Sequence, residues 1–215
     1  FRRVLFRSVL TAGVPTFKQV LDAVLDNVNS SERELALKHK THWKKNDLII
    51  YDRGYPSYDF INEHITAGVD ALARVRKNQN TAVITFINSK KRTAIVDILP
   101  HKEQDFTAKQ YDKKTTIKVR LVRVDLPSGE IEILMTTLLD SQIYPSSMFK
   151  ELYFRRWGIE TFYDELKNKL KVEFFTGYSK STIMQDFFCA IFISNLQSVI
   201  VNSLQDELKE RNQNT

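Results

Sequence analysis

Tyr153-Phe-Arg-Arg-Trp-Gly-Ile-Glu160-Thr-Phe-Tyr-Asp-Glu-Leu-Lys167 sets Tyr153, Arg156, Glu160 and Lys167 at intervals of 3, 4 and 7 residues. An α-helix turns by about 100° per residue. Measured from Tyr153, Arg156 falls near roughly −60°, Glu160 near −20° and Lys167 near −40°. All four share one narrow stripe. Leu152, Ile159, Phe162, Leu166 and Leu170 cluster on the adjacent face, where a core would be. A carboxylate beside two cations and a phenol suits a site that holds a metal ion while gripping phosphates. The plain alternative is a solvated face, on which Arg156 and Glu160 form an ordinary i,i+4 pair.

Upstream of the stripe, Asp47-Leu-Ile-Ile-Tyr-Asp52 is a short apolar run closed by an acid, the pattern of a buried central strand. Arg53-Gly-Tyr-Pro-Ser57 reads as a turn. Ser57 then caps a helix running to Thr66, and Gly68 ends it. Val69 to Val75 reads as a further strand. Earlier still, Ser31-Glu-Arg-Glu34 fits a capping box that opens a helix extending to Lys44. Val20-Leu-Asp-Ala-Val-Leu25 fits strand or helix, and periodicity does not decide between them. Val9 to Phe17 is short and apolar, with a turn at Gly13-Val-Pro15.

The strand and helix alternation then stops. Ala82 to Ile87, Ala94 to Leu99, Thr115 to Val124 and Ile131 to Leu138 all read as strands, with a Pro127-Ser-Gly129 turn between the last two. Basic residues crowd this region. In the Thr115–Val124 run, Ile117, Val119 and Leu121 alternate with Lys118 and Arg120, which places two cations on an outer face. The plain reading of that face is a solubilising surface. Helical pattern resumes near Ser146 and continues past Lys171. Ser179 caps a last helix through Leu208. The resulting organisation is residues 9–75 as the first part of a core, 76–142 as a β-rich insertion, and 143–215 as the rest of the core with C-terminal helices.

The chain has 215 residues, 42% hydrophobic and 27% charged, the composition of a globular domain. No unbroken apolar run approaches the length of a membrane span, so a membrane partner is not expected. The most hydrophobic stretch, Phe187 to Ile193, is expected to be a buried helix with Cys189 packed in its core. One cysteine excludes a disulfide framework, and Cys/His zinc spacing is absent. The chain reads as intracellular. A formal net charge of +6 hints at an acidic partner such as nucleic acid. However, residues 1–8, Phe-Arg-Arg-Val-Leu-Phe-Arg-Ser, resemble the in-frame translation of a sequencing-library adapter. Without Arg2, Arg3 and Arg7 the charge is +3, so local basic patches carry more information than the total.

Two acids stand out. Asp52 ends a strand, where open α/β sheets place their sites. Glu160 projects from a helix that can face it across a cleft. Carboxylates sharing Mg²⁺ ions support two-metal phosphoryl transfer. Such a site usually needs a third acid, and Asp22, Asp26, Asp59, Asp70 and Asp164 all have ordinary surface or helix readings. Asp52-Arg-Gly-Tyr55, followed by Tyr153, Arg156, Glu160 and Lys167 at these spacings, resembles the DDE transposases of insertion sequences with the Tyr-Arg-Glu-Lys signature, the insertion sequence four type. The resemblance runs from Val20 to Gln205. Ser31-Glu-Arg-Glu-Leu-Ala36 and Phe174-Phe-Thr-Gly-Tyr178 match segments of such proteins as well.

That resemblance implies an α/β, RNase H-like core with a β-rich insertion ahead of the glutamate. It implies catalytic and metal-binding roles for Asp52 and Glu160, with Mg²⁺ or Mn²⁺ as cofactor, two ions in the complete protein. It implies DNA contacts for Tyr153, Arg156 and Lys167. Double-stranded DNA, as transposon ends and target, is the expected partner. A homodimer that pairs the ends and a bacterial, nucleoid-associated, cytoplasmic location are expected with it. The family's first aspartate lies on a strand upstream of everything here, so the chain resembles a C-terminal part, inactive for want of that acid. Two other readings stay open: a DNA-binding module without metal chemistry, and an RNase H-like nuclease that hydrolyses without joining strands.

Overall fold

The computed structural model describes residues 3–9, 19–26, 29–102, 105–107, 109–156, 168 and 175–213. The architecture is mixed α/β, divided into two compact units: Phe1–Lys40 with Trp157–Thr215, and Thr41–Arg156.

The Thr41–Arg156 unit is built on a five-stranded mixed sheet. Its strands are β3 (Leu48–Tyr51), β4 (Asp70–Val75), β5 (Thr93–Ile98), β6 (Ile117–Asp125) and β7 (Ile131–Thr136), in the order β3-β4-β7-β6-β5. β3 and β4 are parallel, with Ile50 opposite Leu72, and the other pairings are antiparallel. Helix α2 (Tyr58–Ala67) makes the crossover between β3 and β4. The Ser57 hydroxyl accepts from the Phe60 amide at 3.3 Å and caps its start. Gly68, at φ 66°, ends it, and the Val69 amide donates to the His64 carbonyl at 3.0 Å.

Helix α2 buries Phe60, Ile61 and His64. His64 Nδ1 lies 2.8 Å from the Phe60 carbonyl, which can only accept, so Nδ1 carries the proton. His64 Nε2 is then left to accept from the Tyr51 hydroxyl at 2.9 Å. The last residue of β3 is thereby tied to the helix, and the residue that follows it, Asp52, is held in place.

Three expectations change in this unit. Ala82 to Ile87 is not a strand but most of helix α3 (Thr81–Asn88). The Asn80 side chain accepts from the Val83 amide at 2.9 Å, and Val83 and Phe86 are buried three residues apart. The cap and the helical spacing outweigh the β-branched composition. Arg120 does not face outward: it is 1% exposed. Its Nε donates to the Thr93 hydroxyl at 2.8 Å, its Nη1 to the Tyr144 carbonyl at 2.6 Å, and its guanidinium lies 5.2 Å from the Phe149 ring centre. Lys118 is exposed and pairs with Asp97 at 3.0 Å. Finally, β3 lies at an edge of the described sheet with its four residues half-buried, where a buried central strand was expected. The strands between residues 76 and 142 continue the sheet that β3 and β4 begin, because β7 pairs with β4.

In the other unit, β1 (Arg3–Val9) pairs antiparallel with β2 (Gln19–Asp26), so the backbone of residues 3–8, set aside as adapter-derived, joins a hairpin. The ambiguous Val20–Leu25 segment is thus strand. Helix α1 (Glu32–Lys38) starts at the expected capping box, with the Ser31 amide donating to Glu34 Oε2 at 3.4 Å. Helix α5 (Lys180–Gln213) packs Phe187 and Ile191 on Val20 and Ala23. Asn195 bonds both backbone groups of Val20, at 2.9 and 2.8 Å.

Two expectations change here as well. Cys189 is exposed, not in a core. Lys180–Leu204 spans 25 residues with a mean hydropathy of 1.6, long and apolar enough by composition to cross a membrane. Its uncharged Ser, Asn and Gln residues break every apolar run yet leave the average high.

Candidate active site around Asp52

Asp52 follows β3 directly, and the Tyr55 amide donates to its carbonyl at 3.2 Å to close the Arg53-Gly54 turn. Its carboxylate gathers donors from three elements. On β4, Arg74 Nη2 lies 3.1 Å from Asp52 Oδ1. From α4 (Met148–Phe154), the Tyr153 hydroxyl donates to the same oxygen at 3.4 Å. Just past α4, Arg156 Nη2 lies 4.0 Å from it. The Arg156 guanidinium also lies 5.4 Å from the Tyr153 ring centre, a cation–π distance.

The environment decides protonation. Burial pushes the Asp52 carboxyl up, but the Arg53 backbone amide and the charges of Arg156 and Arg74 outweigh it, so the carboxyl sits below its ordinary value. Asp52 is therefore ionised at neutral pH. Its side chain is 44% exposed, which leaves it reachable from solvent. Tyr153 is 4% exposed. Burial pushes its hydroxyl up to about 12, against the downward pull of Arg156 and Arg74. At neutral pH it is a donor and not a phenolate.

Of the residues expected at the site, Asp52, Tyr153 and Arg156 come together here. Glu160 and Lys167 lie outside the described residues, as does the run from Trp157 onward that would carry the helical stripe past Arg156. α4 itself ends at Phe154, and the Arg156 amide turns back to the Tyr153 carbonyl at 3.0 Å. Two residues were missed by reading the sequence. Arg74 completes the cluster, and Glu132 on β7 holds it from the other side, Arg74 Nη1 to Oε1 at 2.6 Å. The signal was an arginine on the strand beyond the apolar Ala71-Leu-Ala73 run, since a half-buried cation there needs a partner.

The donor set suits a hard divalent cation in one respect. Asp52 offers an ionised, partly exposed carboxylate oxygen, the ligand type that Mg²⁺ and Mn²⁺ prefer. Among the described residues no three His, Cys, Asp or Glu side chains group closely enough to hold a metal ion. Arg74 and Arg156 can also turn from the carboxylate to a phosphate, and Tyr153 can donate to either.

A family model described as a transposase DDE domain matches residues 7–196. No curated protein matches the chain.

Proposed function

The chain belongs to the DDE transposase family, and from that premise we propose that Asp52 is a metal-holding carboxylate of DNA strand cleavage and transfer. Transposition is the chemistry of the family and DNA its substrate. In this reading Glu160 is the partner carboxylate. Tyr153, Arg156, Lys167 and Arg74 grip phosphates of the transposon end, and residues 76–142 are the insertion between the two acids. Divalent cations, Mg²⁺ or Mn²⁺, would polarise the reacting phosphoryl group and activate water or a 3′-hydroxyl. The chain's own part is to keep Asp52 ionised, to keep Tyr153 protonated as a donor, and to aim two guanidinium groups at the phosphate. The pairing of two ends by two copies, and action at the bacterial nucleoid, belong to the same proposal.

The observation that carries it is the convergence of Arg74, Tyr153 and Arg156 on Asp52 Oδ1. Tyr153 is 101 residues from Asp52 in sequence, so the cluster is assembled by the fold and is not a local pairing. A plain ion pair would account for one arginine. Two arginines and a buried hydroxyl on one reachable carboxylate suit a site that trades these donors for phosphate and metal when DNA arrives.

The test is a strand-transfer assay with a pre-cut duplex end, a supercoiled target and Mg²⁺. A protein that also carries the family's first aspartate should form joined product, and Asp52→Asn and Glu160→Gln should abolish it there. Nicking of the target without joining supports the hydrolytic nuclease instead. Product unchanged in Asp52→Asn would remove that residue from the chemistry.

A further inference from the structure

The five-stranded sheet has a continuous end that begins at Asp52 and runs past every strand. β3 and β4 finish there, β7 starts there, β6 finishes there and β5 starts there, as the registers require: Val75 opposite Ile133, Arg123 opposite Ile133, and Thr93 opposite Val122. Segments 52–53, 74–77, 90–92 and 123–132 lie along it. They hold eight basic residues and four acidic ones, so this end is strongly positive. Three of the acids are already committed, Asp52 and Glu132 to Arg74 and Asp125 to Arg123. Arg53, Arg76, Lys77, Lys90, Lys91 and Arg92 are exposed, and none forms an ion pair among the described residues.

We propose that this end of the sheet is a DNA-binding rim, on which Arg53, Arg76, Lys77, Lys90, Lys91 and Arg92 hold backbone phosphates of the duplex flanking the reacting phosphate. The inference rests on Asp52 marking the reacting site and extends the contact surface away from it. Five strands at about 4.8 Å spacing carry the rim roughly 19 Å from β3 to β5. That matches about six base pairs at 3.4 Å per phosphate of each strand. A line of cations that starts at the carboxylate fits the linear charge of a duplex. Segments 74–77, 90–92 and 123–132 contain no aromatic residue, so they offer no platform on which unpaired bases stack. Duplex backbone is the ligand they suit.

Lys90 adds a second observation. It sits just beyond the C-terminal end of α3 at φ 55°, in the left-handed region. Glycine or asparagine takes that position at lower cost. A lysine held there, exposed and beside Lys91 and Arg92, spends stability on a charge at the rim.

Fluorescence anisotropy of the chain with a labelled mixed-sequence duplex, over a range of salt, tests this. Each phosphate contact contributes about 0.9 to the slope of log affinity against log salt, so Lys90→Gln/Lys91→Gln/Arg92→Gln should flatten it by about 2.7. Lys113→Gln/Lys114→Gln, at the far end of the sheet, should leave it nearly unchanged. Lys90→Gly alone should weaken binding while holding or raising the melting temperature. An unchanged slope in the triple variant, with Arg156→Ala still weakening binding, overturns the rim and leaves the Asp52 site standing. Equal flattening per charge at both ends overturns it too, because general electrostatics then suffices. Tighter binding of single strands than of duplex overturns the assigned ligand. Loss of affinity in no variant, Arg156→Ala included, instead removes the reading of the site itself.

Discussion

At the scale of single residues, the site is a balance between burial and charge. Tyr153 is the clearest case. Its raised value means that the folded chain holds the phenolic proton after the unfolded chain has released it. The stability it contributes is fully present below the ordinary tyrosine value near 10 and is lost as pH rises to about 12. Urea denaturation across that range should therefore show a decline that Tyr153→Phe removes, and an identical decline in the variant would mean that other groups cause it. Gly54 offers a second test. Its backbone is not left-handed, and a Cβ built there meets nothing within 4 Å. Gly54→Ala should keep or slightly raise stability, by about 0.4–1 kcal/mol through the unfolded chain. In a protein that also carries the family's first aspartate, strand transfer should fall even so if DNA passes close to the turn; full activity would place the DNA elsewhere. Asp52, Tyr153 and Arg156 were legible in the sequence because an acid at a strand end and a spaced signature carry local signals. Arg74 and Glu132 were not, because their meeting is a cross-strand event between β4 and β7.

At the scale of elements, a buried cation fixes the connection that leads to the site. Arg120 on β6 donates to the Tyr144 carbonyl, and the segment it pins runs straight into α4, which bears Tyr153. Arg120→Met would orphan the Tyr144 carbonyl and leave the Thr93 hydroxyl with only its bond to the Leu121 carbonyl, at a cost on the order of 2–3 kcal/mol. Chemical denaturation should record that loss, whereas a surface cation would cost almost nothing. Strand alternation alone put Arg120 on the outer face. It could not reveal that the residue 140–144 turn supplies carbonyl acceptors, since those are 20 or more residues away in sequence. The α3 segment misled for a related reason. Val83, Ile84, Thr85 and Ile87 favour strands by composition, and the cap from Asn80 that decides the matter is one residue ahead of the helix.

At the scale of the whole molecule, the alternation around β3, α2 and β4 was readable because each element carries its own start and stop signal. The sheet order was not, because the pairing of β7 with β4 depends on contacts some 60 residues apart. The total charge of +6 says little by itself. Its concentration along the Asp52 end of the sheet is what bears on function. The most direct measurement is Mn²⁺ binding by electron paramagnetic resonance, paired with duplex-DNA affinity, on Asp52→Asn and Arg156→Ala. Asp52→Asn should lose Mn²⁺ binding and keep or gain DNA affinity, because it removes a ligand and a repelling charge. Arg156→Ala should bind Mn²⁺ at least as well as the parent chain and lose DNA affinity. Undiminished Mn²⁺ binding in Asp52→Asn would contradict the account.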